Sequence, residues 1–220
     1  TDDHSSAHFV YFLKAKSDSV EALEQFLADA NEIGKIKALR SDNGGEFMSN
    51  RFQQILRKHE IRHETSAPYS AHQNGVAERN WRTIFEMARC MLMEANLPRN
   101  MWNYAVQTAV YTRNRCFCPR TEQTPYFFIK KRRPDLSNLQ KFGSMCYAYA
   151  HERHGKFSPR AEEGIYVGPA RRSNAYLVYY PEKKTVKAHR LVKFVEHAQS
   201  ETKSKGSEPE KTEVEVSVPS

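Results

Sequence analysis

Two acidic residues in distinctive settings constrain this chain more than anything else in it. Asp42 follows the β-type run Ile36 to Leu39 and enters a turn through Asn43 and Gly44, and Glu78 stands one turn into the long segment that starts at Gly75. Thirty-five residues lie between them. An aspartate at the carboxyl end of a strand, followed by Asn-Gly, holds its carboxylate beyond the strand where other elements can meet it. Chemistry on a phosphodiester needs divalent ions about 3.5–4 Å apart, one activating the attacking oxygen and one stabilising the leaving oxygen, held by carboxylates from separate elements. Asp42 and Glu78 are therefore candidate catalytic and metal-binding residues. A third carboxylate is needed to complete such a site.

The surrounding pattern is that of an α/β layer. Phe9 to Lys14 reads as a strand; Ser17 can cap a helix with Val20, Leu23, Leu27 and Ala30 at helical spacing, and Gly34 ends it. The strand Ile36 to Arg40 follows, then a helix from about Asn50 with Phe52, Ile55, Leu56 and His59 on one side, then a strand from Ile61 to Thr65. Gly75 to Ala95 reads as the longest helix, with Ile84, Ala88, Met91, Leu92 and Ala95 as its buried stripe. Asn100 to Arg115 reads as another, with Trp102, Ala105, Val106, Ala109 and Val110 in the core. Asn43 and Gly44 shape the turn beside Asp42, while Asn74 and Gly75 support the entry into the Glu78 helix.

Beyond Leu139 the chain changes character. Ser144 to Ala150, Gly164 to Val167, Ala175 to Tyr180, Thr185 to His189 and Leu191 to Phe194 are short β-type runs separated by turn residues, which suits a small barrel. Tyr166, Tyr176, Tyr179 and Tyr180 either fill its core or, with Arg171, Arg172, Lys183 and Lys184, line a nucleic-acid surface; core filling is the simpler reading. Lys130 to Arg133 is a basic run that suits a solvated linker as well as a phosphate contact or targeting patch. From about His197 onward the composition is Ser, Glu, Lys and Pro, and a disordered tail is expected.

The stretch from Leu39 to about Glu196 resembles the integrase of copia-type LTR retrotransposons, within the retroviral integrase superfamily. The resemblance rests on Asp42-Asn43-Gly44-Gly45-Glu46, Ser66-Ala67-Pro68-Tyr69, Gln73-Asn74-Gly75-Val76-Ala77-Glu78-Arg79, Met87-Ala88-Arg89, Glu94 to Pro98 and Thr124-Pro125-Tyr126, with Phe142-Gly143 and Gly164 to Gly168 further on. It implies an α/β, RNase H-like integrase core, incomplete at its N-terminal strands, followed by an SH3-like β-barrel and a disordered tail. The expected division is 1–120 partial core, 121–139 linker with the basic run, 140–196 barrel and 197–220 tail. It also implies a DDE site using two Mg²⁺ or Mn²⁺ ions for 3′-end processing and strand transfer. The partners implied are element ends and target DNA, with a homo-oligomer in the intact enzyme.

The same resemblance marks departures. Thr1-Asp2-Asp3 resembles the end of the family's second strand, so the first catalytic aspartate and the preceding zinc module are expected to be missing, and Asp2 and Asp3 are not expected to replace them. The two-metal site would be incomplete and this chain inactive; a host-adopted, catalytically dead nucleic-acid-binding protein is the alternative. A missing strand would leave the N-terminal end poorly packed and the protein of low solubility. Arg79 and Arg82 are the candidate DNA-phosphate contacts, Arg82 alternatively pairing with Glu78 four residues away. Asn80 and Trp81 stand where the family usually has lysine and asparagine, which weakens the expectation of intact DNA affinity.

Charge agrees with a polyanionic partner: the formal net charge is +8 and the pI about 9.3. No apolar run is long enough for a bilayer and no N-terminal targeting pattern is present, so no membrane partner is expected and the location is taken as intracellular, nuclear or in a cytoplasmic particle. Cys90, Cys116, Cys118 and Cys146 form no C-x-x-C pair. His4/His8 and His59/His63 have i, i+4 spacing without a cysteine pair to follow, so no zinc is expected.

Overall fold

The structure is a computed structural model, and it describes residues 1–30, 34–65, 75–137, 139–149, 160–171 and 173–195. Asn74, Arg172 and the expected tail lie outside the described residues, as do the whole Ser66-Ala67-Pro68-Tyr69 motif and Gln73. Helix α1 spans Ser19–Ala30 and strand β1 Ala38–Ser41; the short α2 (Gly45–Met48) leads into α3 (Asn50–Lys58), and β2 covers Arg62–Thr65. The long α4 spans Gly75–Glu94, α5 Trp102–Arg113 and α6 Pro125–Lys130. Five strands follow: β3 (Met145–Tyr149), β4 (Ala161–Pro169), β5 (Tyr176–Tyr180), β6 (Thr185–His189) and β7 (Val192–Phe194).

The helices bury the stripes their spacing dictates. Val20, Leu23 and Leu27 of α1 pack against Phe52, Ile55 and Leu56 of α3. Ile36 and Leu39 lie against the same cluster, and β1 pairs in parallel with β2 from Ala38↔Arg62 to Ser41↔Thr65. A two-stranded sheet is marginal by itself, so this pair is held by the helices beneath it. Asp18, not Ser17, caps the approach to α1: its carboxylate accepts from the Lys14 and Ala15 N–H groups at 3.1 Å each, and the bond from Ala15 leads in holding it below the usual carboxylate range.

A second cluster joins the helical part to the barrel. Ile84 and Ala88 of α4 meet Ala105, Val106 and Ala109 of α5, and Val167 and Tyr179 from the five-stranded sheet complete the same core. Glycines permit this close approach. Gly168 has φ +119°, and a Cβ there would stand 2.2 Å from Thr108 Oγ1; at Gly143, with φ +86°, one would stand 2.3 Å from Ala95 Cβ.

The sheet order is β6-β5-β4-β3-β7, antiparallel throughout. Only Arg190 and Leu191 separate β6 from β7, the two edge strands. Two intervening residues reach at most about 11 Å, whereas four strand spacings of a flat sheet amount to about 19 Å. The sheet must therefore curl, bringing its edges together as a small barrel. Cys146, Ala148, Tyr166, Val178 and Tyr180 fill the interior, with Tyr176 and Phe194 closing on Tyr166 edge to face at 5.8 and 5.4 Å. The tyrosines are core, as the simpler reading held.

Three expectations need correction. Residues 9–14 form no strand; at the residue before them the Asn114 carboxamide accepts from His8 N–H at 2.9 Å and donates to His8 C=O at 2.8 Å. Trp102 is not core; it is 49% exposed and lies edge-on to Phe12. Nor is the N-terminal end loosely packed, because Ser5 and Ala7 are fully buried and the Arg120 guanidinium donates to Asp3 C=O and Ser6 Oγ. Side chains from a distant segment thus satisfy groups that sequence reasoning left exposed.

Candidate functional site

Asp42 sits directly after β1, exposed, with Oδ1 accepting from Gly44 N–H at 3.1 Å. This is the turn that Asp-Asn-Gly predicts, and Asn43 and Gly44 occupy it as expected. Space at residue 44 is tight: a Cβ there would stand 3.1 Å from Asp42 Oδ1 and 3.0 Å from Glu46 Oε2. Glu46, in the first turn of α2, thereby brings its carboxylate to the same point at Gly44 that Asp42 Oδ1 approaches.

Behind Asp42 lies a hydrogen-bonded relay that sequence reasoning missed. Gln53 Nε2 donates to Phe47 C=O at 2.9 Å and stands 2.7 Å from His63 Nδ1. Because an amide nitrogen only donates, Nδ1 must accept, which leaves the ring proton on Nε2. His63 Nε2 then donates to Ser41 Oγ at 2.8 Å, and Ser41 Oγ donates to Asp42 C=O at 2.8 Å. Residues from α3, β2 and β1 converge in this way on the backbone of Asp42. His63 lies on β2, within the strand expected from Ile61 to Thr65, while His59 is exposed just beyond α3, which ends at Lys58. A histidine beside Ser-Asp across a parallel pair was the available signal.

Glu78 is exposed in the first turn of α4, where the helix dipole favours a carboxylate. Arg79 and Arg82 are exposed on the same helix, and among the described residues Arg82 makes no ion pair with Glu78. Gly75 opens the helix, as the sequence suggested. Asp42 follows β1, whose Leu39 packs on the cluster built on α1 and α3, and Glu78 is on the helix that packs on α5 and the barrel. The segment 9–11 stitches the two: Val10 enters the α4/α5 core, while Phe9 and Tyr11 lie edge-on to Phe26 of α1 at 5.5 and 6.4 Å. Tyr11 also donates to Asp29 at 2.9 Å, and Arg171 of the barrel reaches the same carboxylate at 2.8 Å.

Among the described residues, no group of three or more His, Cys, Asp or Glu side chains converges as a metal cage. Asp42 and Glu78 nevertheless offer exposed carboxylate oxygens, the donor type of a single hard ion that keeps several waters. The paired-ion arrangement is not assembled by these side chains. No disulfide forms among the described residues; Cys146 is buried in the barrel, and burial raises its thiol to about 11. Among the described residues no helix is long and apolar enough to cross a membrane.

Residues 1–71 match the integrase core domain model and residues 144–209 the retroviral polymerase SH3-like domain model. Asp42 lies inside the first match and Glu78 beyond its end. The chain is 38% identical over 201 residues to the retrovirus-related Pol polyprotein from transposon TNT 1-94 of Nicotiana tabacum, covering 89% of this chain and 15% of that protein. It is 34% identical over 181 residues to the corresponding polyprotein from transposon RE2 of Arabidopsis thaliana, covering 80% of this chain and 12% of the relative. The chain thus spans only a small part of the relatives it matches. Among solved structures, the HTLV-2 integrase catalytic core domain in complex with magnesium aligns at TM-score 0.47 and 25% identity, over 58% of this chain and 80% of that one.

Proposed function

The chain belongs to the integrase family of copia-type retrotransposon Pol polyproteins, with an RNase H-like core and an SH3-like barrel, and on that premise we propose that it is the DNA-engaging part of a DDE polynucleotidyl transferase. The observation that carries the reading is the pair of exposed carboxylates, Asp42 held in its turn at the end of β1 and Glu78 in the first turn of α4. Their proposed substrates are the element's DNA ends and target DNA, and the intact integrase is proposed to act as a homo-oligomer within the nucleus or a retrotransposon particle. The division into core, linker and barrel at 120/121 and 139/140 is part of the same proposal.

In this reading Asp42 and Glu78 would hold Mg²⁺ or Mn²⁺, which supplies charge neutralisation at a phosphodiester and lowers the pKa of an attacking hydroxyl. The chain's own residues do the positioning. His63, through Ser41, fixes the backbone that carries the Asp42 carboxylate, and Arg79 and Arg82 approach DNA phosphates beside Glu78. We propose that the described residues bind DNA without completing 3′-end processing or strand transfer, since two carboxylates are fewer than a two-ion centre needs. The same shortage favours, as a second reading, a host-adopted binding protein that has lost the chemistry.

Affinity for a short duplex measured against salt tests the DNA-binding core of this proposal. Contacts to phosphates predict a steep linear fall of log affinity with log salt. A slope near zero, or no binding at low salt, contradicts it. Strand transfer assayed on the same DNA with Mn²⁺ separates the two readings: activity abolished by Glu78→Gln would overturn the inactive assignment.

A further inference from the structure

Helix α4 carries an aromatic pair that the core does not use. Trp81 is 40% and Phe85 47% exposed, and their rings lie 5.4 Å apart at 30°. Four residues apart, they stack along one flank of the helix, the flank that begins beside Glu78. Their inner edge is anchored, because Trp81, Asn80 and Ile84 line a small cavity with Thr1, His8 and Phe9. Arg82 and Arg89 run beside them on the exposed crest, two turns or about 10 Å apart. Neither makes an ion pair among the described residues, whereas Arg40, Arg62 and Arg171 each do. Glu86 lies between these two arginines in sequence and is exposed as well, so the crest is mixed but holds cations free to meet phosphates.

We propose that Trp81 and Phe85 form a stacking platform for unpaired bases at a DNA end, with Arg82 and Arg89 on the adjoining phosphates. The inference rests on the DNA-binding reading above and adds the form of DNA: a frayed or single-stranded terminus, since a base inside a duplex has both faces covered by its neighbours and only unpaired bases can reach two successive rings along the helix. Flat aromatic surface flanked by unpaired guanidinium groups is the chemistry that binds single strands with little sequence preference. It also gives the Asn80-Trp81 departure a use. At Trp81, where an asparagine would stand, an indole offers a face to a base three residues on from Glu78.

Tryptophan fluorescence reads the platform directly in a Trp102→Phe background, which leaves Trp81 as the one indole in the chain. Titration with a single-stranded thymidine oligonucleotide and with a blunt duplex of equal length should quench Trp81 on the single strand. Trp81→Ala and Phe85→Ala should each weaken single-strand affinity roughly fivefold or more, Trp81→Phe should retain most of it, and duplex affinity should change less than twofold. Unchanged single-strand affinity in a folded Trp81→Ala protein overturns the platform, and so does an equal loss on both DNAs. Self-association in sedimentation that Trp81→Ala abolishes would also overturn it, assigning the face to a second copy. If the unsubstituted protein binds neither DNA, the DNA-binding reading itself fails, and the platform with it.

Discussion

His63 is the residue on which the geometry of Asp42 most depends, since its two ring nitrogens are both committed, one to Gln53 and one to Ser41. His63→Ala leaves both partners without their acceptor or donor in a half-buried site. An expected loss of about 1–2 kcal/mol in urea unfolding follows, and nitrogen NMR should report the proton on Nε2 in the unsubstituted protein; a proton on Nδ1 would contradict the relay. His8 gives a pH signature. Burial, then the positive charges of the Thr1 amino group and Arg113, lower its imidazole to about 4 from 6.5. Between those values the unfolded chain binds a proton that the folded chain refuses, so stability rises with pH through this window and is lost as pH falls from 6.5 toward 4. The expected change is on the order of 2–3 kcal/mol, and His8→Asn should flatten it; equal slopes in both proteins would count against the buried neutral imidazole.

At the scale of elements, the join between α5 and β4 is tightest at Gly168. An alanine there meets Thr108 Oγ1 and is strained at φ +119°, so Gly168→Ala should cost more than about 2 kcal/mol. Thr108→Ala in the same protein should recover part of the loss and leave the backbone strain; full recovery or no loss would contradict the contact. The elements legible in the sequence were those whose own periodicity decides them, such as α1 with Leu23 and Leu27, α3 with Phe52 and Leu56, and the barrel strands bounded by turn residues. Residues 9–14 misled because an apolar, aromatic run marks a β-type segment without supplying a strand to pair with, and the neighbouring His8 backbone is bonded instead by Asn114, more than a hundred positions away. The Asp42 turn was legible because Asp-Asn-Gly acts locally. The His63 relay was not, because it depends on register between β1 and β2.

Across the whole molecule, packing divides the chain differently from its sequence motifs. One cluster joins α1, α3 and the β1–β2 pair; the other joins α4, α5 and the barrel, so that the barrel shares a core with the second half of the helical part. The residues 9–11 and the Tyr11–Asp29–Arg171 contact hold the two together. Hydrogen exchange should therefore show α4, α5, β4 and β5 protected together to the level of global unfolding, and β1 and β2 opening earlier. Uniform protection, or a barrel that opens alone, would contradict this division. The two candidate carboxylates fall on opposite sides of it, so the stitch sets how one lies relative to the other.

Binding of Mn²⁺ in the presence of a short DNA end, followed by the loss of the free-ion electron paramagnetic resonance signal, tests the pairing of Asp42 with Glu78 most directly. The account predicts saturable binding by the unsubstituted protein and a loss of at least tenfold in affinity for both Asp42→Asn and Glu78→Gln, roughly the 1.4 kcal/mol or more expected when one of two carboxylate ligands is removed. Equal Mn²⁺ affinity in all three proteins would contradict it.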